Sequence, residues 1–371
     1  MTAPTAPASS APAAAPARRR PAFHSLRVAA VEQLTEDSAA VSFDVPDELA
    51  GEFAFAPGQS LTLRREIDGR DERRSYSICA PAGDTPRIGV RVVPGGLFSS
   101  WLVNDVRPGD VVEVMAPTGF FTPDLTVPGH HVLIAAGSGI TPMLSIAASV
   151  LAADEASRVT LFYGNRRTST VMFADELADL KDRFPTRFQL GHVLSREPRE
   201  AELLSGRLDA DRLSALIGSL VDVADADHWW LCGPHGMVRD AQAVLSGLGV
   251  PEDRVHQELF YADDEPVREA RHEEATADGP VSEVTITLDG RTTTSPLPRD
   301  RAILDGAQQA RPDVPFACKG GVCGTCRALI RDGEADMRRN FALETNEVEA
   351  GYVLTCQTFP ASDTLTVDFD S

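Results

Sequence analysis

The segment ACKGGVCGTC, residues 317–326, limits what this chain can fold into more than any other. It carries Cys318, Cys323 and Cys326 as C-x4-C-x2-C, and a lone fourth cysteine, Cys356, follows downstream. That spacing is the plant-type arrangement for a 2Fe-2S cluster, in which four soft thiolates complete two iron tetrahedra. Gly320, Gly321 and Gly324 let the loop wrap closely, because residues without a Cβ accept positive φ and turn backbone N–H groups toward the sulfurs. Such hydrogen bonds tune the reduction potential. Structural zinc is the competing reading, but zinc loops pair one C-x2-C with a second pair of cysteines or histidines. Around the loop the pattern predicts a small α+β module. VTITLDGRTTTSPL alternates about Asp289-Gly290, a two-residue hairpin signal; RAILDGAQQA has a helical period; CRALIRDGEADM and DTLTVDFD supply later strands.

The module is only the tail of a longer chain. At roughly 150 residues per domain, 371 residues predict two or three domains. With 43% hydrophobic and 24% charged residues the bulk is globular, and no apolar run approaches the roughly 20 residues of a membrane span. A net charge of -20 disfavours nucleic acid and suits a partner with a basic patch. Residues 1–22 are Ala/Pro-rich with Arg18, Arg19 and Arg20, and read as a disordered tail. A twin-arginine export signal would need an apolar stretch after the arginines, and PAFHSLRVAAVEQ begins a strand pattern instead. Four of the six cysteines have metal-like spacing, so a reducing, cytoplasmic setting is expected. Charge crowds into YADDEPVREARHEEATADGP, which separates front from tail. Near DLTVPGHHV, short alternating strands give way to buried strands alternating with helices. The expected division is a tail at 1–22, a β-barrel at 23–125, an α/β doubly wound domain at 126–262, a linker at 263–281 and an α+β domain at 282–371.

A cluster takes one electron at a time and needs a source. HHVLIAAGSGITPMLSIAASVL reads as a buried strand, a Gly-Ser-Gly turn, then Thr141 as N-cap and Pro142 as first residue of a helix. Gly137 and Gly139 would let a pyrophosphate approach that helix start. The turn departs from G-x-G-x-x-G, with Pro142 where the third glycine belongs. VTLFYGNRRTST and HWWLCGPHGMV also break into loops where a parallel sheet places ligands. Arg166 and Arg196 are candidates for a 2′-phosphate, with a solvated surface role as the alternative, and no acid directly follows YGN, which favours NADPH. In the front domain, Tyr76 of RRSYSI offers a ring to stack on an aromatic cofactor, Arg74 a fork for phosphate, and Ser99 with neighbouring amides an anion site at a helix start, with packing and a surface charge as the alternatives for Tyr76 and Arg74. The histidines, His130 and His131 among them, read as core or surface residues, and Cys79 as a small apolar filler.

RSYS, GGLFS, GSGITP and CGP, in that order, resemble the ferredoxin-NADP reductase superfamily over nearly all of the front two domains. The resemblance implies FAD, with Arg74 on its phosphate, Tyr76 stacked on the isoalloxazine, Ser77 beside the ring, and Gly96 and Ser99 in a second flavin loop. It implies that GSGITP holds the nicotinamide pyrophosphate, that Cys232 of Cys232-Gly233-Pro234 lies beside the nicotinamide, and that Ser195 and Arg196 take the 2′-phosphate. It further implies that Cys318 and Cys323 hold one iron, Cys326 and Cys356 the other, and that the third domain is a β-grasp ferredoxin. The domain order is similar to reductase components of multicomponent oxygenases. Within them FHSLRV, PGQSLTLR, YGNR, CKGGVCGTC and the terminal DFD resemble a narrower group whose partner is a separate di-iron oxygenase acting on an aromatic acyl-CoA. A redox sensor is the reading from another functional class.

Overall fold

The computed structural model describes residues 22–67, 70–260, 279–311, 313–343 and 345–371. The tail expected at 1–22 and the linker expected at 263–281 lie almost wholly outside these residues.

The first sheet comprises β1 (Phe23–Thr35), β2 (Ser38–Asp44), β3 (Ser60–Ile67), β4 (Arg70–Ser77), β5 (Arg87–Arg91) and, after helix α1 (Leu97–Asn104), β6 (Val111–Thr118). The strands are antiparallel in the order β4-β3-β6-β1-β2-β5. The two edges meet: Ile78 bridges to Ile88, and the Cys79 amide donates to the Arg87 carbonyl, so the sheet closes into a barrel. Closure removes the exposed edges that an open sheet would present. Period-two alternation sends Leu61, Leu63, Val112 and Val114 inward, where Phe98 and Leu102 of α1 cap the core.

The second sheet is wholly parallel: β7 (His130–Ala136), β8 (Arg158–Asn165), β9 (Phe188–Leu194), β10 (His228–Cys232) and β11 (Val255–Glu258), ordered β11-β10-β7-β8-β9. Helices α2 (Ile140–Ala153), α3 (Ala174–Arg183), α4 (Ala210–Leu220) and α5 (His235–Gly247) make the connections. Both faces are covered, so β7 reads as a continuous apolar run. Helix α2 is apolar nearly all round because it is buried nearly all round. Its polar residues fasten it to the barrel: Ser145 donates to the Ala80 carbonyl at 2.6 Å and Ser149 accepts from the Ala82 amide at 2.9 Å.

The start of α2 differs from expectation. A 3-10 turn occupies Gly137–Gly139, Gly139 is the N-cap, and the helix begins at Ile140, so Thr141 and Pro142 lie inside it. The Thr141 hydroxyl donates back to the Ser138 carbonyl, and its methyl packs where a Cβ on Gly89 of the barrel would sit. Packing between the sheets, and not the capping preference of threonine, sets the boundary.

The third sheet contains β12 (Val281–Leu288), β13 (Arg291–Pro298), β14 (Arg327–Asp332), β16 (Tyr352–Leu354) and β18 (Thr364–Asp368), ordered β13-β12-β18-β14-β16. Strands β15 (Ala335–Met337) and β17 (Thr358–Pro360) pair separately; helices α6 (Ile303–Ala310) and α7 (Thr345–Glu349) complete this α+β, β-grasp unit. The hairpin forms at Asp289-Gly290, whose φ values of 54 and 66 are those of a type I′ turn. Both turn amides donate to the Asp370 carboxylate, at 2.7 and 2.8 Å. Among the described residues no helix is long and apolar enough to cross a membrane.

Candidate functional site

The strand order reverses between β7 and β10, the place where a doubly wound sheet opens a crevice at its carboxyl edge. The Gly-Ser-Gly turn leaves β7 there and the Cys-Gly-Pro loop leaves β10. The two touch: a Cβ on Gly139 would lie 2.1 Å from the Cys232 carbonyl oxygen. Gly137 has φ 58, in the left-handed region. Gly233 is hemmed in by Met237 and Ala136, and Pro234 is the N-cap of α5. Pro142 is buried in the first turn of α2.

Strand register then places Cys232 beside Ala135 on one side and Glu258 on the other. The barrel closes over this group, because Ser77 at the end of β4 is buried and donates to Glu258 Oε2 at 2.8 Å. Desolvation raises the Glu258 carboxyl from 4.5 to about 7, against the lowering effect of the Ser77 bond. Burial, helped by the Glu258 charge, pushes the Cys232 thiol well above its usual range, so it is a neutral thiol and not a thiolate. Sequence reasoning missed Glu258. VHQE carries no motif, and the only signal is an acid in the strand after the Cys-Gly-Pro loop.

Tyr76 is half-buried, with its ring 6.2 Å from that of Phe98. Arg74, on the same face of β4 by strand alternation, is half-exposed and pairs with Glu72 at 2.9 Å. Gly96 is the N-cap of α1. The Ser99 hydroxyl accepts from the Val93 amide at 3.0 Å, which holds the loop in place at the helix start.

At the far end of the crevice, the Ser195 amide donates to the Asn165 carbonyl and the Arg196 amide to that of Arg166. Both arginines are exposed at the ends of adjacent strands. The Asn165 side chain is buried here beside the Tyr163 hydroxyl. An acid that the sequence reading did not weigh also lies here: Glu197 accepts from the Thr168 amide and hydroxyl at 2.9 and 2.8 Å, which hold its carboxyl below the usual range.

The four cysteines of the third domain come together in two contacting pairs. The thiol of Cys323 adjoins that of Cys318, and the thiol of Cys356 that of Cys326. The neighbouring Cys323, opposed by burial and aided by the Gly320, Val322 and Cys323 amides, lowers the Cys318 thiol from its usual range. Cys326 is lowered likewise by Cys356, and each partner is raised. Two adjoining thiol pairs, with the Gly320 amide donating to the Cys318 sulfur at 3.3 Å, fit a core with two irons. The left-handed positions are Lys319, Gly321 and Gly324, with φ 52, 82 and 65, so lysine and not Gly320 takes the first turn. The Lys319 ammonium anchors the loop by donating to Gln308 of α6 at 2.8 Å. Val322, Cys318 and Phe341 pack against the core of the parallel-sheet domain, so one flank of the cluster loop faces inward. Cys79 is remote from this loop; it is buried, donates to the Arg87 carbonyl at 3.2 Å, and its thiol is raised to about 12 by burial. His131 is also core, its imidazole lowered to about 4 by burial, and His130 is buried beside it.

The chain matches three families: the oxidoreductase FAD-binding domain over residues 25–122, the oxidoreductase NAD-binding domain over 133–243, and the 2Fe-2S iron-sulfur cluster binding domain over 286–361. It is 42% identical to one component of the 1,2-phenylacetyl-CoA epoxidase of Escherichia coli strain K12, over 94% of this chain and 98% of that one. It is 34% identical to the ferredoxin reductase component of 3-ketosteroid-9-alpha-monooxygenase from Rhodococcus rhodochrous, over 93% of this chain and 96% of that one. Among solved structures it resembles phthalate dioxygenase reductase, with a TM-score of 0.58 and 27% identity over 94% of this chain and 98% of that one. With barrel, parallel sheet and cluster loop in this order, the chain belongs to the FAD-, NAD(P)H- and 2Fe-2S-dependent reductase components of oxygenases, within the ferredoxin-NADP reductase superfamily.

Proposed function

We propose that this chain passes electrons from NADPH, through FAD and a 2Fe-2S cluster, to a separate di-iron oxygenase that epoxidises the ring of phenylacetyl-CoA. The observation that carries the relay is the meeting of Ser77, Cys232 and Glu258 from three strand ends, with the cluster loop packed against the same domain. The oxygenase and its substrate rest on the 42% identity to the epoxidase component. Cys318, Cys323, Cys326 and Cys356 hold the cluster in this reading, and Arg74, Tyr76, Gly96 and Ser99 line the flavin. Gly137, Gly139, Thr141, Pro142, Gly233 and Pro234 shape the nicotinamide crevice, Thr141 through packing. Ser195 and Arg196, with Arg166, face the 2′-phosphate. The domain limits expected from the sequence and a cytoplasmic setting belong to the same proposal.

When bound, the flavin converts two-electron hydride delivery into the single-electron passage that a cluster accepts. The residues supply surroundings and not acid-base turnover. Glu258, raised to about 7, keeps a proton near neutrality and so limits negative charge beside the crevice. Ser77 fixes its orientation. The neutral Cys232 thiol fills the crevice floor without presenting a nucleophile.

Anaerobic titration with NADPH, followed by visible and EPR spectra, tests the relay; turnover of phenylacetyl-CoA after mixing with a purified di-iron oxygenase tests the partner. Flavin that bleaches while the cluster stays oxidised refutes the relay. Reduction without turnover of phenylacetyl-CoA, but with turnover by another oxygenase, transfers the chain to that system. A second reading of the coenzyme follows from Glu197, whose carboxylate beside Arg196 suits a ribose hydroxyl and hence NADH. Comparing kcat/KM for the two coenzymes separates them.

A further inference from the structure

We propose that Arg73 is a positioning residue for electron passage from the flavin to the cluster, tying strand β4 to the segment that leads into the cysteine loop. Arg73 is 5% exposed, unusual for a guanidinium. Its charge is met by Asp71, with Nη2 2.7 Å from Oδ2 and Nε donating to both carboxylate oxygens at 3.2 Å. The guanidinium carbon lies 4.0 Å from the centroid of Phe316, two residues before Cys318, and 5.1 Å from that of Phe23 at the start of the barrel. The cation is therefore in contact with an aromatic ring from each of the two domains that must exchange electrons.

Strand alternation explains why this residue and not its neighbour does so. Arg74 and Tyr76 share one face of β4, the face read as flavin-binding, while Arg73 and Ser77 share the other. One strand thus touches the flavin site and, through Arg73, the approach to the first cluster cysteine. Other contacts join the third domain to the rest of the chain, but none brings a buried cation between two domains: Val322 and Cys318 pack on the parallel-sheet core, Arg327 lies 4.9 Å from the exposed Phe120 ring, Phe341 meets His235 edge-on at 5.7 Å, and Thr345 donates to Glu252 at 3.2 Å. A flat, delocalised cation fits this site. Lysine would keep the charge but lose the face that stacks and the fork that grips Asp71.

The inference rests on the relay reading above and adds no chemical step to it: electrons still come from NADPH and end on ferric iron. The test uses the full-length, cofactor-loaded protein as wild type, Arg73→Gln and Arg73→Lys. Rapid mixing with NADPH follows flavin bleaching by absorbance and cluster reduction by freeze-quench EPR; hydrogen exchange is measured over residues 316–326. Electron passage weakens steeply with the separation of donor and acceptor, so Arg73→Gln is expected to slow cluster reduction several-fold, with iron, sulfide and flavin contents and the rate of flavin bleaching unchanged. Residues 316–326 should exchange faster, and Arg73→Lys should rescue neither property fully. Cluster reduction at the wild-type rate in Arg73→Gln overturns the proposal, as does an equal slowing of flavin bleaching, which would mark a role inside the barrel alone. Should that variant not accumulate, Phe316→Leu removes the other half of the contact and is read by the same criteria. A wild-type cluster that NADPH does not reduce refutes the relay reading itself and is thereby distinguished.

Discussion

Replacing Glu258 with glutamine leaves an oxygen for Ser77 to donate to and removes the ionisation, so stability should respond to pH in a sense that the structure fixes. The folded carboxyl titrates near 7 against an ordinary 4.5. At about 1.4 kcal/mol per unit the difference has a ceiling of about 3 kcal/mol, and about half of that once partial solvent access is allowed for. The folded value is the higher one, so the stabilising contribution is complete below 4.5 and disappears as pH rises through 7. Wild type should therefore lose stability across that window relative to Glu258→Gln, which has no proton to release. Well above pH 7 the variant should melt higher by roughly 3 to 12 °C, taking about 2 to 4 °C per kcal/mol for a unit of this size. Below 4.5 the two should coincide. Scanning calorimetry of both proteins over the pH series provides the measurement. A difference that does not vary with pH, or one in which wild type gains on the variant as pH rises, refutes the reasoning.

Cys326→Ser should lose iron, acid-labile sulfide and the EPR signal of the reduced cluster, while NADPH still bleaches the flavin in the folded variant; loss of both reductions together contradicts the relay. Gly139→Ala forces a methyl to within 2.1 Å of the Cys232 carbonyl. It should cost about 1 to 3 kcal/mol and raise KM for the nicotinamide while flavin content holds, which melting curves and steady-state kinetics will check. Arg196→Gln removes a charge-assisted contact worth about 1.5 to 3 kcal/mol, so KM for NADPH should rise about ten- to a hundredfold and that for NADH should not move. Parallel changes for the two coenzymes would assign Arg196 to solvent.

The features legible in the sequence are those written in adjacent residues. A C-x4-C-x2-C loop brings three thiols together by local chain geometry, and Asp289-Gly290 turns a hairpin because those two positions take positive φ. The apolar runs ending in Gly-Ser-Gly and Cys-Gly-Pro likewise mark a parallel sheet, since strands buried on both faces need no alternation. Where several states compete locally, the sequence was less decisive. Thr141 has the chemistry of an N-cap, yet the helix starts two residues earlier than that predicts because its methyl is needed against Gly89 and Gly139 must press on Cys232. Lys319 takes a left-handed turn that its type disfavours, held by Gln308.

Glu258 and Arg73 belong to tertiary structure alone. Neither lies in a motif, and each matters for a neighbour far along the chain, Ser77 for one and Phe316 for the other. The sequence by itself determined the ligand spacing for a 2Fe-2S cluster and the glycine turn open to a pyrophosphate, because ligand spacing and close backbone approach are set over a few residues. Only the fold decided which carboxyl keeps a proton beside Cys232 and which guanidinium spans the junction, because desolvation and cation–aromatic contact depend on what packs around a group and not on what precedes it.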